Sequence, residues 1–338
     1  MLIHAKLMIM KRYFILAAAV LLVLPGCSGD RTHIVRTDDL ADTLKLQELH
    51  LPYEFLMPAR MIASCGDVVI YQRKVDDTFV LVDMSDGGNC TVIGRKGRGP
   101  GEFTGVDVQS LKPADDGFIC MDAGGKVKKV RLKGGIDVQT TSSTTFGHPQ
   151  NGILVGDKFI SANVVNTESE YIVYSPDSEK PLFVSEYPDW TGDTEQPLPF
   201  TYMKNMTAHP DGELFASFYV YFRKFRIYDA DGNLLHDVDV RFPEEFPAYS
   251  SDPEKQHFAY ASYPCATEKH IYALCRNSGR QSLNTCLPEI QVWDWSGKLK
   301  KRYVPDRHID LFAVDEERGI LFGMDTGKAN VLYYQHIE

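Results

Sequence analysis

The sequence has no basic segment. Of its 338 residues, 36 are Lys or Arg and 46 are Asp or Glu, so the formal net charge is −10. Domains that bind nucleic acid usually present clustered positive charge, and this absence argues against a nucleic-acid partner. The acidic balance instead favours solubility and weak repulsion from anionic surfaces.

The sequence also lacks the short patterns that are typical of metal sites and hydrolases. The histidines form neither H-x-x-x-H nor H-x-H, the cysteines form no paired C-x-x-C, and no G-x-S-x-G occurs. The turn containing Asp229 and Asp231 superficially resembles a calcium loop, but it lacks the downstream Glu. We therefore expect no cofactor, no metal site and no catalytic residue that local sequence could reveal.

Six cysteines follow Cys27, and their spacing leaves the disulfide pattern open. An oxidising envelope would permit disulfides, and Cys275 with Cys286 could close a loop. Cys65 and Cys120 lie in strand-like segments, where small buried thiols are common. For those two we favour free, buried thiols.

Long apolar runs are absent except at the N-terminus. Residues 10–27 read MKRYFILAAAVLLVLPGC, a positive start followed by an apolar run too short to span a bilayer with room to spare. The end of this segment resembles a bacterial lipobox, in which Cys27 would carry the lipid. The pattern predicts a signal peptide over residues 1–26, a lipidated tether over 27–41 and a folded domain over 42–338. An ordinary secretory signal or a single membrane anchor is the alternative.

Such a lipid would attach the folded domain to a membrane of the cell envelope without spanning it. A Gram-negative envelope, and within it the outer membrane, is the expected location. Whether the domain faces the periplasm or the exterior stays open.

No segment keeps a helical periodicity for long, and one strand pattern recurs six times instead. Neighbouring copies begin about 40 to 57 residues apart, a spacing typical of propellers and solenoids. Each copy has a preceding apolar segment, such as YASYP before the fifth, and most are followed by a hairpin with Asp, Ser or Gly in its turn. The six opening strands are GDVVIYQ from Gly66, DGFICMD from Asp116, GDKFISA from Gly156, DGELFASF from Asp211, EKHIYAL from Glu268 and RGILFGM from Arg318.

Four strands per repeat predict an all-β fold, a six-bladed β-propeller with four antiparallel strands per blade. The sixth repeat is one strand short, and the strand at Thr43–Leu49 has no partner of its own. Pairing it with Val331–Ile337 would complete the last blade, close the ring and remove exposed sheet edges. An open sandwich with an N-terminal arm is the alternative.

The segment GRKGRGPGEF from Gly94, followed by the D-G turn at Asp116, resembles an NHL repeat. Together with the lipobox and the repeat count, it is similar to the six-bladed, TolB-like propeller lipoproteins common in Bacteroidetes. The overall pattern covers nearly the whole mature chain, whereas the specific motif occurs once. The resemblance implies the propeller fold, but it implies no particular activity because propellers host many functions. Some NHL-type propellers resemble metal-dependent lyases or esterases, and His148, His257 and His308 would be candidates for such ligands.

Three long loops belong to neighbouring blades and are predicted to lie on one face of the ring. They span Tyr187–Phe200, Arg241–Tyr260 and Arg276–Glu289. Long loops on a rigid scaffold often carry binding residues, and aromatic side chains beside polar groups suit a sugar, a peptide or a protein partner. The candidate ligand-binding residues in these loops are Trp190, Phe200, Tyr249 and Arg276. Solvated insertions that pack their own aromatic residues are the alternative.

The glycine-rich segment is predicted to lie on the same face. Its glycines permit tight turns, Phe103 is expected to enter the core, and Glu102 could pair with Arg98 or accept from neighbouring amides. We favour a structural turn, and a direct ligand role for Arg98 and Glu102 is the second interpretation.

The resulting hypothesis is a lipid-anchored envelope propeller that serves as a binding or scaffolding module. Its partner would be an unidentified envelope protein or a glycan or peptide ligand, and the lipid on Cys27 would hold it at the membrane. The alternative function is a metal-dependent lyase or hydrolase with its site in the central funnel.

Overall fold

The computed structural model describes residues 32–37, 41–122, 125–143, 151–178, 180–191 and 195–337. The predicted signal peptide, Cys27 and His148 lie outside these ranges. The strands, in chain order, are β1 Thr32–Arg36, β2 Asp42–Leu44, β3 Gln47–His50, β4 Pro58–Ser64, β5 Asp67–Gln72, β6 Asp77–Asp83, β7 Asn89–Arg95, β8 Val106–Ala114, β9 Gly117–Asp122, β10 Lys126–Arg131, β11 Asp137–Ser143, β12 Gly152–Val155, β13 Lys158–Ala162, β14 Tyr171–Tyr174, β15 Leu182–Val184, β16 Lys204–Ala208, β17 Leu214–Tyr219, β18 Lys224–Asp229, β19 Leu234–Arg241, β20 His257–Phe258, β21 Cys265–Ala266, β22 His270–Cys275, β23 Ser278–Gly279, β24 Glu289–Asp294, β25 Leu299–Pro305, β26 Leu311–Asp315, β27 Ile320–Met324 and β28 Val331–His336. One short helix, α1, spans Leu198–Thr201, and a single 3-10 turn spans Arg280–Ser282.

These strands form the predicted six-bladed β-propeller. From the inside outward, blade 1 is β4-β5-β6-β7, blade 2 is β8-β9-β10-β11 and blade 3 is β12-β13-β14-β15. Blade 4 is β16-β17-β18-β19 with β1 added outside, and blade 5 is β21-β22-β24-β25 with β2 added outside. Blade 6 is β26-β27-β28-β3.

The inner strands meet in a closed cycle. Each of β4, β8, β12, β16, β21 and β26 contacts the next, and β26 returns to β4. Six apolar clusters fill the six interfaces between blades, including one between blades 6 and 1 that contains Met61, Ile70, Phe322 and Met324. Because apolar burial is the main stabilising term in folding, the closing interface holds the ring in the same way as the other five.

The strand from the N-terminus closes the last blade as predicted, but with different bounds. Gln47–His50 pairs antiparallel with β28, with Leu49 opposite Leu332. Thr43 and Leu44 were expected in the same strand, and this part of the prediction is wrong because β2 pairs in parallel with β25 of blade 5.

The reason for this division is the burial of two leucines. Leu44 and Leu46 are 6% and 4% exposed and lie in the cluster between blades 5 and 6. Asp306 holds the crossing between these blades, since its N–H donates to Leu44 O at 2.9 Å and its Oδ1 accepts from Leu46 N at 3.2 Å. Further upstream, within the predicted tether, Thr32–Arg36 forms β1 on the edge of blade 4.

The six opening strands of the repeats are the second strands of the six blades, β5, β9, β13, β17, β22 and β27, and each pairs with the preceding strand of its blade. The preceding apolar segments form the inner strands in five blades. Blade 5 differs, because its inner strand is only Cys265–Ala266 and the segment YASYP comes before it. Pro264 has no N–H to give to a ladder, and Ala261–Tyr263 line a cavity instead.

All six cysteines in the described part of the chain are free. The loop between Cys275 and Cys286 is therefore not closed by a disulfide. Instead, the Cys275 thiol donates to Asn277 Oδ1 and the Cys286 thiol donates to Leu283 O. Cys120 is buried as predicted, whereas Cys65 is only half-buried.

Within the described residues, no helix has the length and apolar character needed to cross a bilayer.

The connections between successive blades and the loops between second and third strands share one end of the ring, which we call the loop face. This end contains the candidate site.

Candidate functional site

An axial funnel opens on the loop face. Its cavity has a volume of about 730 Å³, within the range of small-ligand pockets. All six blades contribute to its wall, since the wall forms where the inner strands begin. One lining residue from each blade, in order, is Pro58, Gln109, Asn163, Lys204, Arg276 and Asp310.

The funnel rim is apolar and exposed. The lining side chains of Met57, Val164, Phe200 and Met203 are 46%, 65%, 58% and 45% exposed. Helix α1 carries Phe200, so the predicted loop Tyr187–Phe200 reaches the rim. Large exposed apolar side chains gathered around a cavity mark interaction sites more often than isolated ones do.

Gln109 supplies a free hydrogen-bond donor to the funnel wall. The residue is 7% exposed, and its Oε1 accepts from Met206 N at 2.8 Å. This bond fixes the orientation of the carboxamide, so the two donors of Nε2 are on the other side. Among the described residues Nε2 has no acceptor, and it is not one of the side-chain atoms that are fully withdrawn from solvent.

Arg73 is the cation of the funnel that has no carboxylate partner in the described chain. Its Nη2 donates to Tyr263 Oη at 3.1 Å. The buried Arg60 guanidinium lies 5.1 Å from the centre of the same Tyr263 ring and donates to the carbonyl oxygens of Val108 and Gln109. Burial lowers the pKa of Arg60 to about 10, so it keeps its charge at neutral pH. Two guanidinium groups therefore flank Tyr263 next to Gln109.

Lys204 belongs to a buried ionic network behind the funnel wall. Its Nζ lies 2.5 Å from Oε1 of Glu170, whose side chain is fully buried. Glu170 also accepts from the hydroxyls of Tyr219 at 2.5 Å and Tyr228 at 2.9 Å, and Arg226 lies 3.6 Å from it. Burial lowers the pKa of Lys204, although the Glu170 carboxylate opposes this effect. The network joins blades 3 and 4 and neutralises Lys204.

Arg276 is the predicted loop residue that enters the funnel wall. It is 8% exposed, and its Nη2 lies 3.1 Å from Asp310 Oδ1. His308 Nε2 lies 3.0 Å from the same oxygen. The backbone N–H and the hydroxyl of Thr326 both donate to the other oxygen of Asp310, Oδ2. Burial raises the pKa of Asp310, but its hydrogen bonds with Thr326 and Arg276 outweigh this and hold the pKa below the usual value.

Beside Arg276, three side chains are close enough together to hold a metal ion. One ligand atom from each of His308, Asp310 and Asp325 lies within 4.8 Å of the others. Both oxygens of Asp310 already accept hydrogen bonds, one of them from the Arg276 guanidinium. A positive charge at this distance opposes the binding of a cation. His257, another histidine considered for a metal site, lies in β20 and bonds to Lys255 O.

A second cavity, of about 560 Å³, lies over blade 4, between the connection from blade 3 to blade 4 and the connection from blade 4 to blade 5. We call it the aromatic groove, and it contains Trp190, Phe222, Phe242, Phe246 and Tyr249. Trp190 packs edge-on against Tyr219, and Phe222 stacks on Tyr249. The long loops therefore pack many of their own aromatic rings, as the alternative of solvated insertions predicted, and they also leave a groove beside these rings.

The six predicted binding residues divide into three groups. Phe200 and Arg276 line the funnel, Trp190 and Tyr249 line the aromatic groove, and Arg98 and Glu102 line neither cavity. Glu102 Oε2 accepts from Gly99 N at 2.7 Å, and Phe103 is 1% exposed. The glycine-rich segment thus has the features expected of a structural turn.

Asp107, two residues before Gln109 in β8, makes a pH-dependent contribution to the stability of the fold. Burial raises its pKa to about 6, against the hydrogen bonds from Gly152 N and Gln109 N and the charge of Arg60. The unfolded chain loses this proton near pH 3.8, so the contribution is greatest below that pH and is lost as pH rises through 6.

We expect the stability of the wild type relative to Asp107→Asn to fall by about 2 kcal/mol between pH 4 and pH 7. Urea denaturation at both pH values measures this difference. The exposed Asp157→Asn serves as the control and is expected to show no such change. An unchanged difference for Asp107→Asn would contradict the assigned direction of the shift.

Sequence reasoning missed Arg73, Gln109, Lys204 and Glu170. Their local contexts carry no signal, because Gln109 and Lys204 read as ordinary strand residues and Glu170 lies in the polar run NTESE. The contacts that define them join distant positions, such as Gln109 with Met206 and Arg73 with Tyr263.

Comparisons with known proteins give the fold and no family. No protein-family model and no curated protein matches the chain. A protein from Bacteroides fragilis NCTC 9343 that is described as exported has 12% identity and a TM-score of 0.53, and the alignment covers 91% of this chain and 99% of that one. A member of the DUF4221 family from Bacteroides vulgatus ATCC 8482 has 7% identity and a TM-score of 0.52, with 87% and 98% covered. A chain of a mitotic checkpoint complex has 11% identity and a TM-score of 0.51, with 89% and 97% covered. The chain is similar to all three in fold.

Proposed function

We propose that this protein is a cell-envelope β-propeller that binds a ligand or protein partner in its axial funnel. The observation that carries the proposal is the combination of a 730 Å³ cavity, a wall drawn from all six blades and an exposed apolar rim. A rigid ring with apolar residues at the mouth and polar groups inside has the usual composition of a recognition site.

The envelope location rests on the N-terminal sequence and on one structural likeness. The leader, the lipobox and Cys27 support a lipoprotein, with residues 1–26 removed, 27–41 as the lipidated segment and 42–338 as the propeller. The similar Bacteroides fragilis protein is described as exported. Attachment to the outer membrane is the location that we favour.

Loss of the rim should abolish capture of a partner. We expect the double variant Met57→Ser, Phe200→Ser to stay folded, because both side chains are about half exposed, and to lose the envelope component that the wild type retains. The matched control is Ile136→Ser, Leu182→Ser, whose side chains are 44% and 59% exposed and line neither cavity. The measurement is co-purification from solubilised envelopes, followed by mass spectrometry. Equal capture by wild type and rim variant would contradict the funnel as the site.

The second candidate function is the metal-dependent lyase or hydrolase. The observation in its favour is the group His308, Asp310 and Asp325, of which Asp310 lines the funnel. The ion pair of Arg276 with Asp310 weighs against it, and we therefore place binding first. Elemental analysis of protein purified without chelators distinguishes the two, because one bound metal ion per chain that is lost in His308→Ala would favour the enzyme.

A further inference from the structure

The polar groups of the funnel indicate what kind of ligand it accepts, provided that the proposed function is correct. We infer that the funnel binds the C-terminal end of a peptide whose last side chains are apolar. The carboxylate would lie near Arg73, Tyr263 and Gln109, and the apolar side chains would contact the rim.

Charge favours an anionic end. The charged residues that line the funnel are Arg73, Lys204, Arg276 and Asp310. Lys204 is neutralised by Glu170 and Arg276 by Asp310, which leaves Arg73 as the unbalanced charge. The cavity is thus locally positive in a chain of net charge −10. Arginine is well suited to a carboxylate because its planar donors match the two oxygens.

The uncommitted donor of Gln109 supports the same assignment. Its Nε2 belongs to a residue that is more than nine-tenths buried, lines the cavity and has no acceptor among the described residues. Arg60 donates to the Gln109 carbonyl and lies over the ring of Tyr263, to which Arg73 donates. Arg73 and the backbone of Gln109 are therefore linked by contacts through Tyr263 and Arg60.

A peptide fits the remaining wall better than an acyl chain does. Asn205 Nδ2 donates to Tyr260 O at 3.0 Å, while its Oδ1 accepts from no described residue. This oxygen can accept from a peptide N–H, whereas an acyl chain offers no donor beyond its carboxyl end. The apolar side chains of the peptide would then contact the rim, which consists of Met57, Val164, Phe200 and Met203.

The test is a fluorescence-anisotropy titration of the full chain in detergent. The probe is a fluorescein-labelled pool of hexapeptides with Leu, Val or Phe at the last two positions and a free carboxyl group. The comparison probe is the same labelled pool with an amidated C-terminus. In a separate experiment, unlabelled decanoate competes with the free-carboxyl pool. We expect the free-carboxyl pool to bind at least tenfold more tightly than the amidated pool, as expected for a hydrogen-bonded charge.

Two substitutions locate the carboxylate. Gln109→Glu keeps the oxygen that accepts from Met206 N and replaces the free donor with an acceptor, so we expect at least tenfold weaker binding of the free-carboxyl pool. Arg73→Gln removes the unbalanced charge and is expected to have a similar effect. Lys74→Gln is the matched control, since it removes a neighbouring positive charge that does not line the cavity. Thermal denaturation of each variant reports whether it is folded, and Arg73→Gln, at an exposed position, stands as the test if Gln109→Glu does not fold.

Each other outcome overturns the inference in a recognisable way. Equal binding of free and amidated pools removes the carboxylate from the assignment, yet leaves funnel binding intact. Competition by decanoate as strong as that by the unlabelled peptide pool assigns the site to acyl carboxylates instead. No binding of the free-carboxyl pool also rejects the inference, and the separate capture experiment with the rim variant then decides the proposed function.

Discussion

Replacing Leu44 and Leu46 together with alanine is expected to lower the free energy of unfolding by about 5 kcal/mol. Single Leu→Ala substitutions in cores cost about 2–5 kcal/mol, because apolar contact is lost and a cavity remains. Both side chains are nearly fully buried between blades 5 and 6, alongside Ile290, Phe312 and Tyr333. They are also the residues that fix the N-terminal segment where it passes from one blade to the next.

The measurement is urea denaturation of wild type and variant, monitored by tryptophan fluorescence. The control is Ile34→Ala, which lies in the same N-terminal region and is 54% exposed. Its expected effect is about 0.5 kcal/mol or less, as for other surface substitutions. A loss below 1 kcal/mol in the double variant would mean that these leucines do not stabilise the closure.

Removing the Glu170 carboxylate is the second substitution for which we expect a large effect. Glu170→Gln is predicted to cost about 3–5 kcal/mol, the range for breaking a buried ion pair by removing one partner. Lys204 would lose its carboxylate partner in a site where burial already lowers its pKa, and Arg226 would retain Asp237, 2.9 Å away, and the carbonyl oxygen of Glu186. The carboxamide can still accept from one tyrosine hydroxyl, so the loss comes mainly from the unpaired lysine.

A surface ion pair provides the matched control for Glu170→Gln. Lys158 Nζ lies 2.6 Å from Asp231 Oδ1, and the Asp231 side chain is 73% exposed. Exposed pairs contribute at most about 1 kcal/mol, so Asp231→Asn should be nearly neutral in the same denaturation experiment. The second variant Glu170→Gln, Lys204→Met should recover part of the lost stability because it removes the uncompensated charge. Equal costs for Glu170→Gln and Asp231→Asn would refute the buried network.

The blades could be predicted from the sequence because their signals are local. The hairpin around Asp229 to Gly232 shows this, since alternating strands flank a turn of Asp and Gly residues. Closure of blade 6 was also predictable, because the sixth repeat is one strand short and the strand near the N-terminus belongs to no repeat. The exact bounds were not, because burial of Leu44 and Leu46 between two blades decides them.

The funnel could not be predicted to the same extent because it is assembled from distant residues. Phe200 and Arg276 were found through loop length, which indicates exposure on one face. Gln109 becomes notable only because Met206, 97 positions away, fixes its carboxamide. Glu170 likewise acquires its partners from blade 4. Which distant residues meet in this way depends on the register of whole blades, and no short sequence pattern predicts it.

Hydrogen–deuterium exchange of the full chain, with and without its captured envelope component, tests the central claim most directly. The account predicts slower exchange on binding in the funnel segments 57–59, 162–164, 199–205 and 261–263. Exchange in the outer strands β11 and β15 should stay unchanged. Protection confined to the outer strands or to the aromatic groove, with the funnel segments unaffected, would contradict the funnel as the binding site.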